Sequence, residues 1–268
     1  MQSISIEKIT ERADRMDLLY DKGNRINYLK AIEKRVSRRA YLNQKIEADK
    51  LERIREAIRH YNKLSGLSIQ LIEDGSQAFN GLRKSYGMFY GVRTLIALVG
   101  KTADPHIKEK AGYFGELLIL EATALGLGTC FVGASYDKKN CPCQIGADES
   151  LICVITMGPV NEKPGLREKA IYHMTHRKSI KLEELYEADM EVPSWFMKGV
   201  KAAQLAPSAI NRHPVRFVYK KGEVYAYVKD TSDFNLVDLG IAKANFEIGA
   251  EGKFEYGNYG RFVKTIKN

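Results

Sequence analysis

Residues 111–127 form a run in which only Glu116 and Glu121 carry charge. Read as a helix, it is apolar on nearly every side, and such a helix has to be buried on most of its faces. The rest of the chain must therefore wrap it. Asp104-Pro105 supplies a start, with Asp as N-cap and Pro at the first helical position. Gly126 and Gly128 supply the stop.

Other elements group around this run. Residues 1–22 show helical spacing and are read as an extension packed on the body. Tyr28 to Arg35 is a second helical stretch, with Leu29 and Ile32 facing inward. Ala48 to Asn62 is an amphipathic helix, because Leu51, Ile54 and Ile58 recur at three- and four-residue steps. Leu67–Ile72, Thr94–Val99, Thr129–Val132 and Leu151–Met157 read as strands. Gly75–Ser85 is a loop with a short helix, and Tyr86–Gly91 is a glycine-rich turn. Residues 159–170 read as a charged loop, Ile171–Met174 as a short strand and Leu182–Tyr186 as a short helical stretch.

The pattern then restarts. Ser194–Gln204 is a helix, Val215–Tyr219 and Glu223–Val228 are strands, and Phe234–Ala250 is a helix. The order helix, strand, strand, helix repeats that of residues 48–127, and Tyr113-Phe114-Gly115 falls against Asp238-Leu239-Gly240. This points to a diverged internal duplication. The expected organisation is a helical extension over 1–27, a first repeat over 28–190 and a shorter second repeat over 191–268.

The chain has 268 residues and a net charge of +9. Its basic residues are spread rather than blocked, and no zinc-finger or RNP-type signature occurs, so nucleic-acid binding is the weakest reading. The four cysteines include a Cys141-Pro142-Cys143 pair. With no second spaced pair and no histidine at ligand spacing, reduced structural thiols are expected rather than a metal site. Charges within the first dozen residues argue against a signal peptide. No run is long enough to span a membrane. A cytoplasmic protein is expected.

Chemistry concentrates in three places. Arg35, Ser37 and Arg39 lie just past a helix end, and residues two apart in an extended segment point the same way. Two guanidiniums and a hydroxyl can then converge on one anion, since arginine forks match phosphate oxygens; a solvated basic patch is the bland alternative. Residues 125–133, Leu-Gly-Leu-Gly-Thr-Cys-Phe-Val-Gly, end the buried helix and open a strand. Ala206-Pro207-Ser208-Ala209-Ile210-Asn211 stops a helix in a polar turn, and Pro214 leads into the next strand.

Together these stretches resemble the FMN-dependent nitroreductase family. Residues 31–41 resemble its opening phosphate motif, R-R-S-x-R-x-F/Y. Residues 206–211 are similar to its A-P-S-x-x-N segment, and residues 121–130 to its G-L-G-T-C helix end. Arg177-Lys178 resembles its late basic pair. The position of the Pro-Ser-Asn segment in the second half resembles the single-chain, pseudo-dimer type known from a thermophilic subfamily.

The resemblance implies an α+β fold with a central mixed sheet flanked by helices, and two degenerate repeats enclosing one FMN. It implies that Arg35, Ser37 and Arg39 hold the FMN phosphate, completed by Arg177 or Lys178. Pro207, Ser208 and Asn211 would line the flavin from the second half. Gly133 or Ala134 would offer a backbone N–H to flavin N5, and Tyr86, Gly87 and Met88 would touch the ribityl chain or ring. The implied enzyme uses NAD(P)H as transient donor and a small electron-poor acceptor such as a nitroaromatic or quinone, with no essential acid–base residue. The implied state is a monomer with no membrane or nucleic-acid partner. Two departures, Val36 for the usual second arginine and His213-Pro214-Val215 for Gln-Pro-Trp, leave a non-catalytic flavin-binding or sensor protein as the alternative.

Overall fold

The computed structural model describes residues 27–79, 88–175 and 180–265. The first half contributes helix α1 (Tyr28–Lys34), helix α2 (Ala48–Ser65), strands β1 (Gln70–Ile72) and β2 (Thr94–Lys101), and helix α3 (Ile107–Ala124). Strands β3 (Gly128–Val132) and β4 (Glu149–Gly158) follow, then helix α4 (Leu166–Thr175) and strand β5 (Tyr186–Ala188). The second half contributes helix α5 (Ser194–Gln204), strands β6 (Val215–Lys220) and β7 (Glu223–Val228), helix α6 (Asp233–Ala250), and strands β8 (Gly252–Phe254) and β9 (Gly260–Lys264).

The charge-poor run is α3, and every residue from Ala111 to Ala122 is buried. Its wrapping is α1 and α2 on one side, the first sheet on another, and α6 on a third. Helix α6 is equally enclosed, buried from Asp238 to Ala250. The two helices touch main chain to main chain. A Cβ on Gly112 would stand 2.0 Å from the Val237 carbonyl oxygen, and one on Gly240 would stand 1.9 Å from the Glu109 carbonyl oxygen. The contact is reciprocal: each glycine meets the carbonyl three residues before the other. It pairs Gly240 with Gly112, one turn from the Gly115 register read in the sequence.

Polar side chains pin the same seam. The Lys243 ammonium pairs with Glu109 at 2.6 Å and donates to the carbonyls of Glu255 and Gly257. Tyr113 donates to Glu247, and Asn245 donates to Glu116 at 3.2 Å.

The strands divide between two sheets. The first has the order β1-β2-β4-β3, and all its pairs are antiparallel. Leu95, Ala97 and Val99 of β2 pack with the cluster on its outer face, while Ile96 and Leu98 pack toward α3. Burial on both faces explains why β2 reads as an unbroken apolar run. The second sheet has the order β5-β6-β7-β9-β8, in which β5 adds parallel to β6 and the other pairs are antiparallel. Without β5 the second sheet repeats the strand permutation of the first, and each half runs helix, strand, strand, helix, strand, strand.

Several expectations need correction. Residues 166–175 are helix α4, so the charged loop is shorter than expected and Ile171–Met174 is not a strand. Leu182–Glu184 is a single 3-10 turn, and Tyr186 opens β5 instead of closing a helix. Leu29 is half-exposed, and Tyr28, Ala31 and Ile32 form the buried face of α1. Asp104 does cap the chain, accepting from the His106 N–H, but the helix starts at Ile107. Strands β8 and β9 lie in a stretch left unread. Residues 1–26, with the expected helical extension, lie outside the described residues.

Candidate functional site

Arg35 ends α1 in an extended conformation, and its N–H still donates to Ala31. The chain then lies along the outer edge of β3. Ser37 bridges Thr129 in parallel register, and the Arg38 N–H donates to the Thr129 carbonyl at 2.8 Å. Further on, Arg39 accepts from the Tyr90 N–H and Tyr41 donates to the Tyr90 carbonyl. The Tyr41 hydroxyl sits 2.6 Å from Thr156 Oγ1 and donates to the Arg38 carbonyl. The segment is thus an added edge strand, and its side chains alternate.

One side of that alternation is structural. Arg38 is buried and meets Glu168 of α4 twice, Nε to Oε1 at 3.2 Å and Nη2 to Oε2 at 3.0 Å. Glu168 Oε1 also accepts from the N–H groups of Arg39, at 2.8 Å, and Ala40, at 3.1 Å. Burial alone would raise the Glu168 pKa. The Arg38 pair and the two N–H donors outweigh it and hold the carboxyl below its ordinary value.

The other side carries the expected anion cluster. Arg35 Nη1 donates to Ser37 Oγ at 3.4 Å. Arg35, Ser37 and Arg39 all act on Cys130 of β3. Burial raises that thiol's pKa, while the Arg39 and Arg35 charges and a hydrogen bond with Ser37 pull against the rise. Arg35 Nε is buried with no partner among the described residues. An unsatisfied donor in a cluster of cations is a place prepared for an acceptor.

The second-half segment reaches the same place. Arg35 Nη2 donates to the carbonyl of Leu205 at 3.3 Å, immediately before Ala206-Pro207. The loop beyond is held in an unusual shape. Ile210, Asn211 and His213 have φ of 45°, 54° and 47°. Each such non-glycine residue costs on the order of 1–2 kcal/mol and persists only where its surroundings enforce it. Here the Ala209 N–H donates to both carboxylate oxygens of Asp238 in α6, at 3.1 Å each. The His213 N–H donates to Ser208 Oγ at 2.9 Å, and the His213 ring lies 3.0 Å from Asn211 Oδ1. Burial pushes Asp238 up to about 7 against the lowering effects of Ala209 and Arg212. A small recess opens here, walled by Pro207, Ser208, His213, Pro214 and Asp238.

The third element is the far end of β3. A Cβ on Gly133 would stand 2.5 Å from Phe234, in the first turn of α6. Ala134 is exposed. At about 3.3 Å per residue, Thr129 and Gly133 stand roughly 13 Å apart. The basic cluster of Arg35, Ser37 and Arg39 therefore lies at one end of an edge strand, and a glycine covered by the Phe234 ring lies at the other. Met88 is half-buried, two residues before the Tyr90 that pairs with Ala40. Tyr86, Gly87, Arg177 and Lys178 lie outside the described residues.

Four contributors escaped the sequence reading: Glu168, the Leu205 carbonyl, Asp238 and Phe234. Only Asp238 left a signal, as one of the few charged residues inside a mostly apolar helix.

Known proteins match the chain at the level of family and fold. A family model described as "Putative TM nitroreductase" matches residues 27–250. The chain belongs to this nitroreductase family. Its members are oxidoreductases by that description, and the order of anion cluster, glycine-ended strand and Pro-Ser-Asn loop falls within the matched span. A nitroreductase structure from Thermotoga maritima is 23% identical, covers 91% of this chain and 95% of its own, and superposes with a TM-score of 0.59. It shares the nitroreductase fold described above. Two more distant structures are similar over about half of the chain. An FMN-dependent nitroreductase of Clostridium difficile is 19% identical over 56% of this chain and 98% of its own, at a TM-score of 0.40. A nitroreductase with bound FMN from Bacteroides fragilis is 20% identical over 52% of this chain and 91% of its own, also at 0.40. No curated relative matches the sequence. Among the described residues, no helix is long and apolar enough to cross a membrane.

Proposed function

We propose that the nitroreductase-family chain is an FMN-dependent NAD(P)H oxidoreductase that reduces small electron-poor acceptors such as nitroaromatics or quinones. The observation that carries this reading is the hydrogen bond from Arg35 to the Leu205 carbonyl. It brings the anion cluster of the first half against the loop of the second.

The donor set fits a phosphate monoester. Arg35 and Arg39 offer forked cationic donors, Ser37 a neutral one, and Arg35 Nε is unspent. Arg177 or Lys178 would complete the clamp. A flat ring would extend from there along β3 toward Gly133 or Ala134, whose N–H would meet its N5 edge, with Pro207, Ser208 and Asn211 on the second-half side and Met88, with Tyr86 and Gly87, along the ribityl chain. Leu205, Ile210 and Phe234 are large apolar side chains about half-exposed on these segments. They would exclude water from a ring's apolar face.

FMN, when bound, supplies the redox chemistry by accepting and returning a hydride. The chain binds, orients and keeps the site dry. Its cations and backbone N–H groups favour the negative charge that reduction adds. No side chain needs to move a proton at the reacting atom.

The repeated strand order and the reciprocal glycine contact support a chain that supplies both halves of a pseudo-dimer, with repeats over 28–190 and 191–268, one flavin, and a monomeric state. The test is the purified protein itself. Flavin absorbance that bleaches anaerobically on adding NAD(P)H and returns with a quinone supports the enzyme. Bound flavin that does not bleach supports a binding or sensor protein. A protein that takes up no FMN rejects both.

A further inference from the structure

The loop between α5 and β6 is bent against the preference of its own residues. Ile210, Asn211 and His213 are all left-handed, and Ile210 is also half-exposed. A β-branched residue is among the least suited to that conformation. Bonds within the loop close a turn. The Asn211 N–H returns to the Ser208 carbonyl, the Arg212 N–H to the Ala209 carbonyl, and the His213 N–H to Ser208 Oγ. Such bonds shape the turn without placing it on the body.

Placement comes from neighbouring elements. Arg216 of β6 donates to the His213 carbonyl at 2.8 Å. Asp238 of α6 takes the other side. Ser208 is extended, at φ −146° and ψ 161°, and the turn begins at Ala209. The Ala209 N–H meets both Asp238 oxygens at 3.1 Å, so it lies midway between them. Asp238 itself is only 4% exposed. On either side of it in α6, the Val237 carbonyl and Gly240 pack main chain to main chain on α3. The loop is thus fastened to a part of α6 that close packing holds in place.

We infer that Asp238 is a positioning residue for the flavin ring, holding Ala209 and thereby Pro207, Ser208 and Asn211 in the shape that receives it. The role rests on the flavin reading of this cleft. Asp238 lines the recess with Pro207, Ser208 and His213, and acts on the ring through the loop. The phosphate end does not depend on it, because Leu205 meets Arg35 from the end of α5, ahead of the loop. Only the carboxylate offers the Ala209 N–H two equal acceptors. Burial pushes Asp238 up to about 7, against the Ala209 N–H and the Arg212 charge. Arg212 and His213 face it from the loop and Cys153 from β4, while α5 and β6 present the uncharged Ala203, Val215 and Phe217. The anion is present above that value and is lost as pH falls through it, so the hold on the ring should weaken in the same direction.

The test compares riboflavin and FMN binding to the full chain, by quenching of flavin fluorescence. Riboflavin has the ring without a phosphate to titrate. Asp238→Asn should weaken both about 5- to 10-fold, the difference between a charged and a neutral acceptor. The FMN-to-riboflavin ratio should stay at its wild-type value, whereas Arg35→Ala should change it. Wild-type riboflavin affinity should fall between about pH 8 and about pH 6, and that of Asp238→Asn should stay level. A level wild-type profile overturns the role without recourse to any variant. So does a pH step that survives in Asp238→Asn, a loss confined to FMN, or a chain that binds FMN but not riboflavin. In each of these the flavin reading stands. A wild type that binds neither flavin overturns both.

Discussion

The guanidinium of Arg35 and the carbonyl of Leu205 lie 3.3 Å apart across 170 residues of chain. The carbonyl is one of those left over at the end of a helix, and a cation is a natural partner for it. The same arginine keeps a buried Nε without a partner among the described residues. Arg35 thus ties the halves together and, under the proposed function, also serves an anion site, and replacing it should show both roles.

Arg35→Ala should lower FMN affinity about 10- to 100-fold, the effect of losing charge-assisted hydrogen bonds of about 1.5–3 kcal/mol. Arg39→Ala should act similarly without loosening the Leu205 end. Flavin content after dialysis, compared between FMN and riboflavin, reads the phosphate share. Unchanged FMN retention in both variants would remove the anion cluster from the site.

Glu168→Gln should cost about 3–5 kcal/mol, because it leaves Arg38 as a buried charge with no carboxylate partner. Pairing it with Arg38→Met should recover much of that loss. Chemical denaturation of the two single variants and the double variant measures the coupling. Since the Glu168 pKa is held low in the fold, its contribution is present above the unfolded value and fades as pH falls through the folded one. A double variant no more stable than Glu168→Gln alone would contradict this account.

Gly112→Ala and Gly240→Ala should each destabilise by about 1–3 kcal/mol or more, because the added methyl meets a carbonyl of the facing helix. Gly165→Ala is the control, since nothing lies within 4 Å of its Cβ position. Melting temperatures should fall for the first two and stay near wild type for the third.

Glu116 gives a pH signature. Burial raises its pKa from 4.5 to about 7, with Arg35 and Asn245 opposing the rise. The unfolded chain ionises first, so stability falls as pH climbs from about 4.5 to 7 and levels off above. Glu116→Gln should therefore match wild type near pH 4 and exceed it at pH 8, by on the order of 3 kcal/mol at most. Unfolding midpoints at the two pH values decide it. A variant less stable than wild type at pH 8 would show that Glu116 is held ionised by its neighbours.

The parts legible in the sequence were those whose signal is carried by side chains along one element. Helix α3 announced itself by its lack of charge, β2 and β4 by their apolar runs, and Arg35, Ser37 and Arg39 by two-residue alternation. Helix α4 was misread because its charged first turn resembles a loop and Ile171–Met174 resembles a strand. The purpose of its Glu168 becomes visible only once residues 38–40 lie beside it. Strands β8 and β9 are short and set among Gly252, Gly257, Asn258 and Gly260, which read as turns. The Leu205 carbonyl had no sequence signature, since any residue could have supplied it. Gly133 was noticed, but its neighbour Phe234 comes from another helix a hundred residues away.

The Glu168 contacts have a consequence for how the arginine segment can be wrong. In an edge strand a slip of one residue exchanges the two faces. Such a slip would turn Arg38 outward and sink Arg35 and Arg39, leaving a basic chain of unchanged composition that grips nothing. Glu168 holds the side chain of residue 38 and the main chain of residues 39 and 40. It thereby sets the parity of the segment, and decides which members of a crowded basic stretch are offered outward.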